Sequence, residues 1–289
     1  MASAYAVEWS AAKAALRSEV SRVVALLRSV GDPHGHAVGD WDLGGVAMHL
    51  SQAWVAVPAM ARRDLSRVFE VLPDHGGRNG ESLIADVWEL GATTTEAVGN
   101  DPERDPKVLA DRIEARAAEY FGECESRSGD DRSPWMVAGT TVDQCTFTCH
   151  LLNETVMHGA DIARAAGRPW PGNRRHAALA IQGFLLPVIS QLDPRSMVDQ
   201  EKAAGVRATY EVRLRGGGRA QFLFDDGAVT VAEPHTRRVD CYILADPVAL
   251  LDVMWDRQSQ WTAIATGKLL AWGRKPWLGP RLRLMMRNP

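Results

Sequence analysis

Residues 151–167, LLNETVMHGADIARAAG, place a glutamate and a histidine four residues apart within an apolar pattern typical of an α-helix. A helix turns about 100° per residue, so Glu154 and His158 lie on one stripe, with Asp161 and His150 beside them. Apolar residues border that stripe. Two side chains that bind metals well are therefore predicted to face the side that the helix buries.

A third metal ligand is needed, because a catalytic zinc usually takes three protein ligands and leaves a fourth position open. The candidate is His49 in GDWDLGGVAMHLSQAW, whose neighbours at helical spacing are apolar and predict an inward direction. His49, Glu154 and His158 would form a set of two histidines and one carboxylate. That set suits zinc and is compatible with iron, nickel or manganese.

Spacing alone leaves other interpretations open. Glu154 and His158 could be a solvated surface pair, and a buried histidine can be satisfied by a backbone carbonyl. Asp161 is either a hydrogen-bond acceptor that orients a ligand imidazole or a solvated carboxylate. His150 is a spare ligand, a proton carrier or a packed core histidine.

The period of the apolar residues divides the chain. Helical patterns run to about residue 190. One helix is expected to begin near Leu43 and to be kinked or broken at Pro58, a capping box Thr141-x-x-Gln144 starts another, and a last helix covers 173–192. From residue 206 the period becomes two, and VRATYEVRLR, RAQFLFD, AVTVAE and VDCYILA predict four strands. The predicted fold class is α+β: a helical bundle over 1–195, a linker, and a small domain with a mainly antiparallel sheet over 206–289.

Bulk properties exclude several classes of function. The formal charge is −3, from 33 basic and 36 acidic residues, and no basic stripe suggests nucleic acid or an anionic membrane. Charged residues interrupt MASAYAVEWSAAKAALRSEV, so it does not read as a signal peptide, and no membrane insertion is expected. We expect a cytoplasmic protein, and in that compartment its four cysteines should be free thiols. Cys145 and Cys149 fall on the side of their helix opposite Glu154, and we interpret them as small buried hydrophobic residues.

Two segments, GDWDLGGVAMHLSQAW and NETVMHGADIARAAGRPWP, resemble the mycothiol-dependent maleylpyruvate isomerase family, whose N-terminal half is a DinB-like four-helix bundle. The chain departs from the family pattern at Asn153, where many members have histidine. DCYILADPVALLDVMW and AIATGKLLAWG resemble the sterol carrier protein type 2 fold, and related domains end many members of that family. In the segment NETVMHGADIARAAGRPWP, the residues that match the pattern of the isomerase family are Glu154, Thr155, His158, Asp161, Ala165 and Gly167.

The resemblance implies a divalent metal, zinc first and nickel, iron or manganese as alternatives, held by His49, Glu154 and His158. It also implies mycothiol, the small thiol of actinobacteria, as cosubstrate. A metal-bound thiolate would isomerise a small electrophile or be transferred to it. The alternatives are a binding protein for a lipid or other apolar ligand with a structural metal, and a metal-dependent hydrolase; either a monomer or a homodimer is expected.

Two further features concern the C-terminal domain. The family implies an arginine that meets an anionic substrate, and Arg257 and Arg274 are candidates that also read as ordinary surface charges. The last forty residues hold several tryptophans, which could build an apolar pocket or simply fill a small core. These tryptophans are Trp255, Trp261, Trp272 and Trp277.

Overall fold

The computed structural model describes residues 7–73, 87–234 and 238–287. Contacts between residues divide the chain into two compact units, Glu8–Gly172 and Asn173–Pro289, with Val7 grouped with the second unit. Within the described ranges, no helix combines the length and the apolar character that crossing a membrane requires.

The first unit is built from helices and two short hairpins. Its elements in chain order are α1 (Trp9–Ser29), β1 (His36–Val38), β2 (Trp41–Asp42), α2 (Leu43–Arg62), α3 (Leu65–Val68), a 3₁₀ turn (Val87–Glu89), α4 (Leu90–Asn100), α5 (Pro106–Glu123), β3 (Arg132–Pro134), β4 (Thr141–Asp143) and α6 (Gln144–Ala165). Helices α1 and α2 each pack against both α5 and α6. The predicted helical bundle is confirmed, and its four long helices enclose a core that includes Leu16, Leu50, Trp54, Ile113 and Leu151.

Helix α2 begins at the predicted residue but does not break where expected. The Asp42 carboxylate accepts a hydrogen bond of 2.8 Å from the Gly45 backbone N–H and caps the helix start. The helix then continues through Pro58 and ends at Arg62. Of the kink or break expected at Pro58, the break is wrong: both flanks of the proline are buried in the bundle, and tertiary packing outweighs the local cost of the missing hydrogen bond.

Helix α6 starts later than the capping-box interpretation placed it. Thr141 belongs to β4, where it pairs with Pro134 of β3. The N-cap is Asp143, whose carboxylate accepts a 2.7 Å hydrogen bond from the Thr146 backbone N–H. The proposed Thr141 cap is therefore wrong, because Val142 and Asp143 continue the strand paired with β3 and cannot form the first helical turn, and Asp143 takes the capping role.

Gly159 allows α6 to approach α1 closely beside the candidate site. A Cβ added at Gly159 would lie 2.8 Å from Val23 Cγ2 and 2.8 Å from Trp170 Cζ2. We expect Gly159→Ala to lower the free energy of unfolding by about 1–3 kcal/mol, measured by urea denaturation of the metal-free protein. In the matched control, Gly122→Ala on α5, the added methyl has nothing within 4 Å and should stabilise by up to ~1 kcal/mol. Equal effects of the two substitutions would contradict the close approach.

The second unit combines a sheet with short helices. Its elements are α7 (Arg174–Ala180), a π-helical turn (Ile181–Leu185), α8 (Leu186–Ile189), α9 (Gln200–Ala203), β5 (Arg207–Leu214), β6 (Arg219–Asp225), β7 (Val229–Ala232), β8 (Cys241–Ala245), α10 (Pro247–Met254), α11 (Gln260–Ala265), β9 (Leu269–Gly273), a 3₁₀ turn (Pro276–Leu278) and α12 (Gly279–Met285). The sheet order is β7-β6-β5-β8-β9, and only the β5–β8 pair is parallel. The predicted α+β class and the four predicted strands are confirmed, whereas β9 was not predicted as a strand.

The helix over 173–192 and the segment after it group with the sheet rather than with the bundle. Arg174 Nε lies 2.6 Å from Asp246 Oδ2, the carboxylate that also caps α10. In the segment interpreted as a linker, Val198 is buried and the Asp199 backbone N–H donates a 2.8 Å hydrogen bond to the Met285 carbonyl. By contacts, the division between the two units therefore falls at residue 172, ahead of the proposed boundary at 195–206.

Candidate metal centre

Three side chains from two helices of the bundle converge. His49 Nε2 on α2 lies 3.2 Å from Glu154 Oε2 on α6, and His158 Nε2 lies 3.3 Å from the same oxygen. One ligand atom from each residue lies within 4.8 Å of the others. The side chains of His49, Glu154 and His158 are only 15%, 13% and 12% exposed, respectively, so the solvated surface pair is excluded.

Helix geometry explains the convergence. Glu154 and His158 are one turn apart on α6, and the packing of α2 against α6 brings His49 to the same point. The His49 and His158 rings meet edge to face, with centroids 4.8 Å apart. Trp41, in the hairpin ahead of α2, packs against His49, with its ring centroid 5.2 Å from that of the imidazole. Both imidazoles are therefore held in place by their neighbours.

The spacing of the donor atoms fits a metal ion. Ligands at about 2.0–2.1 Å from a tetrahedral zinc lie roughly 3.3 Å from one another. The two distances to Glu154 Oε2, 3.2 Å and 3.3 Å, match that separation, and the ligand atoms of the two histidines lie within 4.8 Å of each other. Two neutral imidazoles and one carboxylate also have the chemistry that zinc, iron, nickel and manganese accept.

Without a metal, the charges of the cluster form one ion pair, between Glu154 and His158. Burial favours a raised pKa for Glu154, but hydrogen bonds from His150, His158 and His49 outweigh it and hold that pKa well below its usual range. Burial opposes the charged form of His158, but hydrogen bonds to Asp161 and Glu154 raise its pKa to about 9. Burial keeps the pKa of His49 below its ordinary value despite the hydrogen bond to Glu154. Without a metal, the cluster therefore holds a carboxylate, one imidazolium and one neutral imidazole at neutral pH.

Asp161 supports the far side of the His158 ring. Its side chain is fully buried, and Oδ2 lies 3.3 Å from His158 Nδ1. Its other oxygen accepts a 3.0 Å hydrogen bond from Arg164 Nη1. The structure therefore decides against the solvated carboxylate and for an acceptor that orients the imidazole, as carboxylates behind ligand histidines do.

Glu154 has two further partners, of which the sequence indicated only His150. Asn153 Nδ2 donates a 3.3 Å hydrogen bond to Glu154 Oε1, and His150 Nε2 lies 3.5 Å from that oxygen. Behind His150, the Trp135 indole N–H donates to Nδ1 at 3.4 Å. The position of His150 beside Glu154 follows from their four-residue spacing on α6, as predicted, but no pattern in the sequence pointed to Trp135.

The four cysteines are free thiols, as expected. Cys149 is fully buried, and the hydrogen bond with Cys145 together with burial raises the pKa of its thiol well above the usual value. Cys149 therefore fits the interpretation of a small buried hydrophobe.

The second unit contains a large apolar cavity of about 440 Å³. Among the described residues, three arginines and no acidic side chain line it. Trp277 lies at the wall, and Trp261, Trp272 and Trp277 are all exposed, so core packing does not account for these tryptophans. Apolar residues that line the cavity include Ile181, Val212, Phe222, Ile243, Leu250 and Leu269.

The two candidate arginines have local partners. Arg274 Nη1 forms a 3.0 Å ion pair with Asp240 Oδ1. Arg257 Nη1 donates a 2.6 Å hydrogen bond to the Trp255 carbonyl. Neither contact singles out a residue that would receive an anionic substrate.

Fold and site together define a class: a helical bundle with a largely buried cluster of two histidines and a glutamate that could hold a metal ion, followed by a sterol-carrier-type unit. Residues 189–273 match the SCP-2 sterol transfer family. Comparison with curated protein sequences gave no significant match.

The fold of the whole chain is similar to that of a mycothiol-dependent maleylpyruvate isomerase. The crystal structure of that enzyme aligns with a TM-score of 0.52 at 13% identity, covering 94% of this chain and 95% of the other. A mutant of the isomerase in which one histidine is replaced by alanine aligns with a TM-score of 0.51 at 11% identity and the same coverage. The predicted pairing of a bundle with a sterol-carrier-type unit is thus confirmed at the level of the fold.

Proposed function

We propose that this chain is a metal-dependent enzyme that uses mycothiol to isomerise a small electrophile or to transfer the thiol to it. The observation that carries the proposal is the buried convergence of His49, Glu154 and His158 at ligand spacing. The fold shared over 94% of the chain with the mycothiol-dependent isomerase supports the choice of chemistry. Zinc is the first candidate metal, and nickel, iron and manganese suit the same ligands.

The three side chains would hold the metal and leave a position open. When bound there, a divalent ion supplies an open coordination position at which a thiol loses its proton at neutral pH. Glu154 would act as a ligand and not as a general base, because its pKa is held well below the usual range. Asp161 would fix the direction of His158, and Trp41 would pack against His49. The low exposure of the cluster would limit competition from water.

The test is a reaction with defined components. Zinc-loaded protein is mixed with mycothiol and maleylpyruvate, or with other candidate electrophiles, while the trans product and the free thiol are followed. We expect turnover only when both metal and thiol are present, with thiol conserved in an isomerisation and consumed in a transfer. His49→Ala should reduce turnover to background, whereas His36→Ala, an exposed histidine in the same unit, should leave it unchanged. Turnover without any thiol would favour the hydrolase and contradict the proposal.

A second candidate function is a carrier of an apolar ligand. The cavity of about 440 Å³ in the second unit favours it, as does the match of residues 189–273 to the SCP-2 sterol transfer family. Arg219 and Arg287 at the cavity wall suit an apolar ligand that ends in an anionic group, whereas Arg283, also at the wall, is paired with Asp256. Saturable binding of a fluorescent fatty acid, with no turnover under any metal and thiol condition, would favour the carrier over the enzyme.

A further inference from the structure

The two oxygens of Glu154 have different surroundings. Oε2 faces His49 Nε2 at 3.2 Å and His158 Nε2 at 3.3 Å. Oε1 faces His150 Nε2 at 3.5 Å and Asn153 Nδ2 at 3.3 Å. One oxygen is thus turned toward the candidate metal position, and the other is occupied by hydrogen-bond donors.

Trp135 fixes which nitrogen of His150 carries the proton. An indole N–H can only donate, so the 3.4 Å contact from Trp135 Nε1 makes His150 Nδ1 an acceptor. In the neutral imidazole the proton then lies on Nε2, which points at Glu154 Oε1. The two rings meet at 66° with centroids 5.8 Å apart, and His150 is buried. Packing and hydrogen bonding therefore hold the imidazole in one orientation.

We infer that His150, aligned by Trp135, is a positioning residue that keeps Glu154 a ligand through Oε2 alone. The inference rests on the proposed metal site and deepens it. A nitrogen that donates a proton cannot bind a metal, so this arrangement removes His150 from the ligand set. A carboxylate bound through both oxygens would fill one more coordination position. Holding Oε1 by hydrogen bonds keeps that position available for a substrate or cosubstrate.

The experiment uses Co²⁺ as the probe, because its visible absorption reports coordination number and is more intense for four ligands than for five. The full-length protein is loaded with Co²⁺, and its affinity is measured by competition with a chelator. We expect His150→Phe, which keeps a flat ring but removes the donor, to weaken Co²⁺ binding about ten- to a hundredfold and to shift the spectrum toward higher coordination. His150→Gln, which retains a donor, should restore both readouts most of the way.

Trp135→Phe tests the second part of the arrangement. It keeps an aromatic ring but removes the indole donor, and we expect a smaller change of affinity and spectrum in the same direction. The matched control is Trp9→Phe, which removes the indole donor to Thr148 Oγ1 in the same bundle and should change neither readout. Thermal unfolding of each metal-free variant separates a loss of folding from a loss of positioning.

Two results would overturn the inference, and they are distinguishable. If His150→Phe folds and retains the affinity and the spectrum of the unsubstituted protein, the positioning role is lost while the metal site stands. If the unsubstituted protein itself binds no Co²⁺ and no Zn²⁺, the proposed function is wrong, and the positioning role, which depends on the metal site, is wrong as well.

Discussion

His158→Ala will weaken zinc binding roughly a thousandfold. Structural zinc sites in small proteins contribute about 10–16 kcal/mol of apparent binding free energy, and three or four ligands share it. Removal of one ligand therefore costs roughly 3–5 kcal/mol, and each 1.4 kcal/mol is a factor of about ten. His49→Ala should have an effect of the same size, because Nε2 of each histidine faces the same oxygen of Glu154. Competition against a chelator of known affinity, on protein stripped of metal beforehand, measures the change.

The control for these substitutions is another histidine of the same unit. His36 is exposed in β1 and lies outside the cluster, so His36→Ala should leave zinc affinity unchanged. Metal-free melting curves show whether a variant is folded before its affinity is interpreted. If the unsubstituted protein and both ligand variants hold equally little zinc, nickel, iron and manganese, the three residues are not a metal site.

The cluster could be predicted from the sequence because its members lie on long, regular helices. On α6 the turn of about 100° per residue fixes the relative directions of Glu154, His158 and Asp161 by their spacing alone. The inward direction of His49 followed from its apolar neighbours on α2. That direction made His49 the candidate for the third ligand, and the family resemblance then implied the same residue. Spacing along α6 could not supply it, because the spacing of residues on one helix carries no information about another helix.

The features that escaped prediction depend on irregular backbone or on competition between similar signals. Trp135 follows β3 in a connection without a period, so nothing in the sequence indicates that its indole reaches His150. The start of α6 was misplaced because Thr141 and Asp143 both favour capping, and only the β3–β4 hairpin decides between them. β9 was missed because its strand pattern is short and largely exposed, which gives no alternation of buried and exposed positions.

The affinity of the site for zinc will rise about tenfold per pH unit between about pH 6.5 and about pH 9, and then level off. Over this range His158 in the metal-free protein is an imidazolium, with a proton on both ring nitrogens. The hydrogen bonds to Asp161 and Glu154 outweigh burial and raise its pKa to about 9. Zinc binding must release one of these protons. Glu154 is ionised and His49 is neutral over the same range, so one proton is expected per metal. Calorimetry in two buffers of different ionisation enthalpy counts the proton directly.

The same pKa shift of His158 determines how the stability of the metal-free protein changes with pH. A folded-state pKa of about 9 against an ordinary value of 6.5 means that His158 stabilises the metal-free fold below pH 6.5 and loses that contribution as pH rises through about 9. Metal-free and zinc-bound protein should therefore diverge in stability as pH increases. Asp161→Asn isolates the cause: it replaces the carboxylate that accepts from His158 with a neutral amide, which supports the imidazolium less, so zinc affinity should level off at a lower pH. An affinity that is independent of pH, or a release of no proton at pH 7.5, would show that His158 is neutral before zinc arrives and that the ion pair with Glu154 does not exist in the metal-free protein.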